Sequence, residues 1–191
     1  MKKAKLLRLT GLILVLCSLA ILAFGLVHDE ISQRKNRQLA TRIQKLLPPR
    51  MPGTQDSLTE TAMPVLSLDG KDYIALLEVP AFGICLPVRS NWSVLGSQSC
   101  PSRFSGTVYD GTLVIGGSGK VGHLDFLSRI GLGDTVTVTG MDGTEFTYRV
   151  TDILRAKHAP QTLLMDGKTQ LTLFAWNPST LQYIILRCNS I

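Results

Sequence analysis

The chain has 191 residues, 45% of them hydrophobic, and a formal charge of +6 from 20 Lys and Arg against 14 Asp and Glu. That length supports one domain with a real core plus an appendage. The positive balance does not point to nucleic acid, because its cations cluster at the N-terminus.

Lys2, Lys3, Lys5 and Arg8 precede an uncharged run, "TGLILVLCSLAILAFGLV", from Thr10 to Val27. At ~1.5 Å per residue, roughly 18 to 20 apolar residues cross a ~30 Å hydrocarbon layer, so residues 10–27 are expected to form a transmembrane anchor. The basic tail, residues 1–9, then stays cytoplasmic and the remainder lies outside, in the cell membrane's single-pass orientation. A cleaved signal peptide fits less well, because the apolar run is long and no small-residue cleavage site follows it. Val15 and Leu16 stand before Cys17 where a lipidation motif has small residues, so Cys17 reads as an ordinary side chain of the anchor.

Residues 28–65 are expected to form a stalk and linker. "HDEISQRKNRQLATRIQKLLPPR" carries Ile31, Leu39, Ile43, Leu46 and Leu47 in an amphipathic pattern that Pro48 and Pro49 end. "MPGTQDSLTETAMP" then has turn formers without periodicity.

Residues 66–191 change texture. Short β-type runs recur, among them "YIALLEV", "GTLVIGG", "DTVTVTG", "EFTYRVTDIL", "LTLFAW" and "QYIILRC". "MDG" at 141–143 marks a hairpin, and Leu124, Leu127 and Ile130 have helical spacing that Gly131 and Gly133 stop. The pattern predicts a mainly β domain, a sandwich or a closed barrel, that folds without the stalk.

Reactive side chains are sparse. Cys85, Cys100 and Cys188 lie beyond the anchor, where an oxidising exterior permits one disulfide whose pairing the sequence leaves open. No C-x-x-C pair and no histidine cluster suggests a metal site, and no cofactor motif is present; the "GGSG" at 116–119 lacks the Lys-Ser/Thr of a phosphate loop.

The order of these elements, and two longer motifs, resemble the sortases, membrane-anchored cysteine transpeptidases of Gram-positive bacteria that join surface proteins to the cell wall or to a pilin. "YIALLEVPAFGICLPV" is similar to the family's opening strand and bend. "LVIGGSGKVGHLDFLSRIGLGDTVTV" is similar to its central segment: Ile115, Gly116 and Gly117 match a strand end, His123 a second histidine, and Leu127, Ile130, Gly133 and Asp134 the helix and turn that follow. The resemblance implies an eight-stranded sortase-like β-barrel with short helices, and it also implies where the chemistry should sit. The catalytic His falls on Ser118. The "T-L-x-T-C" that ends the family's seventh strand falls on Thr172 to Trp176, which puts the nucleophilic Cys on Trp176. The catalytic Arg falls on Tyr183, or on Gln182 if the preceding loop is one residue shorter.

A thiolate to attack, an imidazole to protonate the leaving amine and a guanidinium for the oxyanion are therefore absent from all three positions. The expectation is a pseudo-sortase that binds a sorting-signal peptide, a pilin or an active sortase. The alternative is an active transpeptidase or hydrolase with a rearranged site, for which His123 and Cys188 are the substitute candidates and Ser118 a weaker one. Strand alternation turns Cys188 away from the face that Tyr183, Ile185 and Arg187 share, which leaves it a structural thiol or a disulfide partner of Cys100.

Overall fold

The computed structural model describes residues 2–53 and 62–191; within its N-terminal helix, side chains are described for residues 11–20 and from Gln33 onward. One helix, α1, runs from Lys2–Leu46. No proline interrupts it before Pro48, so the expected anchor and the expected stalk share one continuous backbone. The 10–27 span falls partly outside the described side chains. Among the described residues, no helix is long and apolar enough to cross a membrane.

Ten strands follow: β1 (Met51–Pro52), β2 (Leu66–Leu68), β3 (Lys71–Val79), β4 (Ile84–Arg89), β5 (Ser102–Ser105), β6 (Leu113–Ser118), β7 (Thr135–Gly140), β8 (Thr144–Ala156), β9 (Leu171–Asn177) and β10 (Gln182–Ser190). Eight of them close a ring in the order β3-β4-β5-β6-β9-β10-β8-β7, with β7 returning to β3; β1 and β2 extend β8 and β3. Closure leaves the ring itself without a free edge. Within the ring, the two parallel contacts, β4 with β5 and β6 with β9, are where the chain crosses over rather than turning back.

Alternation along β6, β9 and β10 divides their side chains between two environments. Leu113, Ile115, Leu171, Leu173, Ala175, Ile184, Leu186 and Cys188 point into the barrel and join its main core with Phe126, Tyr148 and Val136. Val114, Phe174, Ile185 and Tyr183 face outward into a second cluster with Trp92, Phe104 and Leu164. That outer cluster is the floor on which the site is built.

Three local expectations are modified. The turn at 140–143 is closed by a bond from Gly143 N to Gly140 O, and only Gly143 takes a positive φ (82°), while the Asp142 carboxylate accepts from Thr144 N and Tyr109 Oη. The helical spacing at 124–130 forms a single 3₁₀ turn, Asp125–Ser128, because Gly131 and Gly133 follow too soon for a longer helix. The stalk's last turns pack on the barrel. Ile43 is fully buried and Ala40 nearly so, against Tyr73, Leu76 and Cys100, and Asn36 Nδ2 donates to Ser99 O at 3.0 Å. The domain at 66–191 therefore does not complete its own core: a stripe of α1 covers one side of β3 and β4.

Candidate functional site

The site positions expected from the sequence meet in one row across three neighbouring strands. Parallel pairing of β6 with β9 sets Ser118 opposite Trp176, and antiparallel pairing of β9 with β10 sets Tyr183 opposite Trp176 on its other side. Gln182 instead pairs with Asn177, one step further into the turn, so it is Tyr183 that stands beside Trp176 in the row. The indole and phenol rings meet edge to face with centroids 5.1 Å apart, and Trp176 keeps 37% of its surface exposed.

Beneath this row the floor is aromatic. Trp92, Phe104 and Phe174 pack mutually at centroid distances of 5.4 to 5.5 Å. Gly116 lies under them, and a Cβ there would collide with the Phe174 and Trp92 rings, so the first glycine of "IGG" is a packing requirement. Such ring pairs contribute about 0.5–1.5 kcal/mol each beyond the area they bury.

Neither Trp176 nor Ser118 can titrate near neutrality. The Ser118 hydroxyl accepts from Lys120 N at 3.3 Å, and its carbonyl accepts from Leu124 N at 3.0 Å; it is a turn residue held in place. Trp176 has an N–H donor and no nucleophilic atom. Gly119 N donates to Trp176 O at 3.0 Å, which ties the loop after β6 to the end of β9.

The substitute residues do not present their reactive atoms on the outward face of this row, and they are not brought to each other. His123 lies against the inward face of Gly117, whose missing Cβ makes room for the imidazole, whereas Ser118 faces outward from the next position. Burial lowers the His123 pKa to about 4, with the nearby backbone of Cys100 and Ser118 offsetting part of that. Cys188 is fully buried in the barrel interior, and burial pushes its thiol up to about 12. It pairs with Leu171, five positions back along β9 from Trp176, about 17 Å at ~3.4 Å per residue. Gly117, the position His123 covers, pairs with Ala175, four steps or roughly 14 Å from the same Leu171. A thiol and an imidazole so placed do not form an ion pair or a proton relay. Cys100 is also buried and both Cys100 and Cys188 are free thiols, so the disulfide considered between them is absent. Cys85 is half-buried, accepts from Gln44 Nε2 at 3.4 Å, and has its pKa raised to about 12 by burial and the neighbouring Glu78 charge.

A cation does share the outer face of β10, but it is occupied. Arg187 ion-pairs with Asp166 at 3.2 Å and Asp152 at 3.6 Å and donates to Leu163 O at 3.2 Å. It thereby pins the loop before β9, whose short helix α2 (Gln161–Leu164) lays Leu163 and Leu164 on the aromatic floor. The Asp166 turn that captures Arg187, with Lys168 N, Thr169 N and Thr169 Oγ1 all donating to its carboxylate, left a readable sign in "DGKT". Among the described residues, no group of three or more His, Cys, Asp or Glu could hold a metal ion.

No protein-family model matches the sequence, and no curated protein does. Solved structures match in fold. Sortase A from Corynebacterium diphtheriae superposes with a TM-score of 0.54 at 17% identity, over 85% of this chain and 84% of that one. A Clostridium perfringens sortase C, solved with a C-terminal cell wall sorting motif, gives 0.53 at 16% identity over 72% and 80%. The Clostridium perfringens sortase D5 transpeptidase gives 0.51 at 16% identity over 62% and 79%. The chain has a sortase-like fold.

Proposed function

We propose that this chain is a membrane-anchored pseudo-sortase: an extracytoplasmic barrel that holds a peptide, a pilin segment or an active sortase without cleaving it. The observation that carries the reading is the row Ser118, Trp176, Tyr183, which places serine, indole and phenol where the sortase resemblance calls for imidazole, thiolate and guanidinium. A peptide partner is supported by the fold match to a sortase C solved with a sorting motif. An indole and a phenol at the end of two strands offer apolar contact and hydrogen-bond donors, the chemistry of a peptide-binding surface rather than of acyl transfer. The apolar run at 10–27 with its basic flank supports anchoring with the N-terminus cytoplasmic.

The test is incubation of the full chain, in detergent or nanodiscs, with a sorting-signal peptide. Binding without a thioester and without cleavage is the expected result. Turnover that disappears on changing Cys188 or His123 would overturn the reading and establish the rearranged enzyme in its place. Native-state alkylation is an independent check: Cys188 should resist iodoacetamide until the barrel is unfolded, since a buried thiol with a pKa near 12 is almost wholly protonated.

A further inference from the structure

Where α1 leaves the barrel, it passes Gly122: the Gln33 side chain occupies the space a Cβ on Gly122 would need. From there toward the N-terminus the helix continues, and six residues separate Gln33 from Val27, the end of the apolar run; that is about 9 Å of helix. Leu12, Leu14, Leu16 and Leu19 within that run are all exposed, with nothing of the barrel covering them. Three large apolar side chains stand on the loop that Gln33 meets or on the strand end and turn tied to it. Val121 adjoins Gly122 and is 65% exposed; Trp176 is linked to the same loop through Gly119 N; Leu181, 66% exposed, closes the turn that follows Trp176. Leu181 also has φ of +51°, a left-handed conformation uncommon for a leucine, kept at a position that buries little of the side chain. Exposed apolar side chains gathered on neighbouring loops mark an interaction surface, unlike exposed residues scattered singly.

Two lysines adjoin these positions. Lys120 precedes Val121, and Lys157 follows Ala156, the β8 partner of Tyr183; both are exposed. Asp125, beside them, is engaged by Arg129 at 2.9 Å and by Gly122 N at 3.1 Å. Lysines flanking a tryptophan and aliphatic side chains suit the headgroup layer of an anionic bilayer, where indoles concentrate.

We infer that Val121, Trp176 and Leu181 dock on the lipid surface of the membrane that holds α1, so that the Ser118–Trp176–Tyr183 row opens at the bilayer interface. This rests on the anchoring proposed above. A segment bound at the row would lie within reach of the headgroups, which suits a peptide that is itself continuous with a membrane-embedded stretch.

The test uses the full chain reconstituted in vesicles containing phosphatidylglycerol, with lipids brominated either near the glycerol or deep in the acyl chain. Trp emission should be quenched by the shallow bromines, and W176F, a change at an exposed position, should lose that quenching although Trp92 remains. Val121→Asp with Leu181→Asp should weaken quenching while the protein still floats with the vesicles after an alkaline carbonate wash. Flotation with equal quenching in the native chain and W176F would overturn the docking and leave the anchor standing. Loss of flotation would overturn the anchor and the docking with it. A Trp176 that stays unquenched by lipid but shifts to the blue as the protein-to-lipid ratio rises would assign the rim to a second copy of the chain, and would equally overturn the inference.

Discussion

Trp176 and Tyr183 stand directly opposite each other on β9 and β10, and their rings meet edge to face at 5.1 Å. Two side chains that the sequence places seven positions apart thus form one aromatic surface, with Ser118 completing the row from β6.

Under the proposed reading, sortase chemistry requires all three positions to change. Trp176→Cys alone is expected to show no acyl-enzyme on a sorting-signal peptide, because an isolated thiol of pKa ~8.5 is only a few per cent thiolate at pH 7 and the leaving amine still has no acid. Adding Ser118→His and Tyr183→Arg should produce acyl-enzyme detectable by mass spectrometry. Substituting Gln182 in place of Tyr183 should not, since Gln182 pairs with Asn177. For scale, losing a nucleophile from a protease triad costs about 10⁶ in kcat. Equal activity of the Gln182 and Tyr183 variants would show that the turn register differs from the one described.

The two aromatic layers should differ in stability cost. Phe174 is 5% exposed and touches Trp92 and Phe104, so Phe174→Ala should cost about 3–5 kcal/mol. Trp176→Ala removes a partly exposed ring with one edge contact to Tyr183 and should cost about 1–2 kcal/mol. Urea unfolding of both variants measures the difference. A Trp176→Ala cost as large as that of Phe174→Ala would mean the indole is packed rather than presented.

Removing α1 should damage the barrel. A chain beginning near Leu66 uncovers Tyr73, Leu76 and Cys100, so it is expected to aggregate or to melt without cooperativity, whereas one beginning at Gln33 should melt in a single transition. Ile43→Ala in the full chain should cost about 2–5 kcal/mol, since the side chain is fully buried. A cooperative, monomeric domain starting at Leu66 would refute the claim that the helix belongs to the core.

Acid should find His123 first. Its folded pKa is lowered to about 4 against an ordinary value near 6.5, so between those values the unfolded chain holds a proton that the folded chain does not. Stability therefore falls as pH drops from about 6.5 to about 4, by on the order of 3 kcal/mol in all. The carboxylates of Asp110, Asp142 and Asp166, whose pKa values are lowered below the ordinary range, take stability away only below about pH 4, outside that window. His123→Asn should flatten the pH dependence of urea midpoints between pH 4 and 6.5. An unchanged slope in that variant would exclude His123 as its source.

The sequence by itself determined the fold class and which side chains of the last strands face inward or outward. Period-two alternation in "LTLFAW" and "QYIILRC" is enough to separate inward Leu173 and Leu186 from outward Phe174 and Ile185, because a strand's side-chain period is fixed by its backbone. The resemblance around "IGG" and around the run that carries Trp176 singled out Ser118, Trp176 and the pair Gln182 or Tyr183 as candidates. Choosing between the last two needed the turn at 178–181, whose length sets which residue faces Trp176, and register is a property of two strands together. Tertiary structure alone decided the rest. The amphipathic pattern at Leu39 and Ile43 announces an apolar stripe but not what covers it, and only the barrel supplies Tyr73 and Leu76. Arg187 looks like a surface charge until Asp166, 21 positions earlier, is folded back against it. His123 stands in the sequence as a candidate acid or base until Gly117 is seen to give it a buried seat. In each case the deciding interaction joins residues distant in sequence, and its energy depends on an environment that neither segment carries alone.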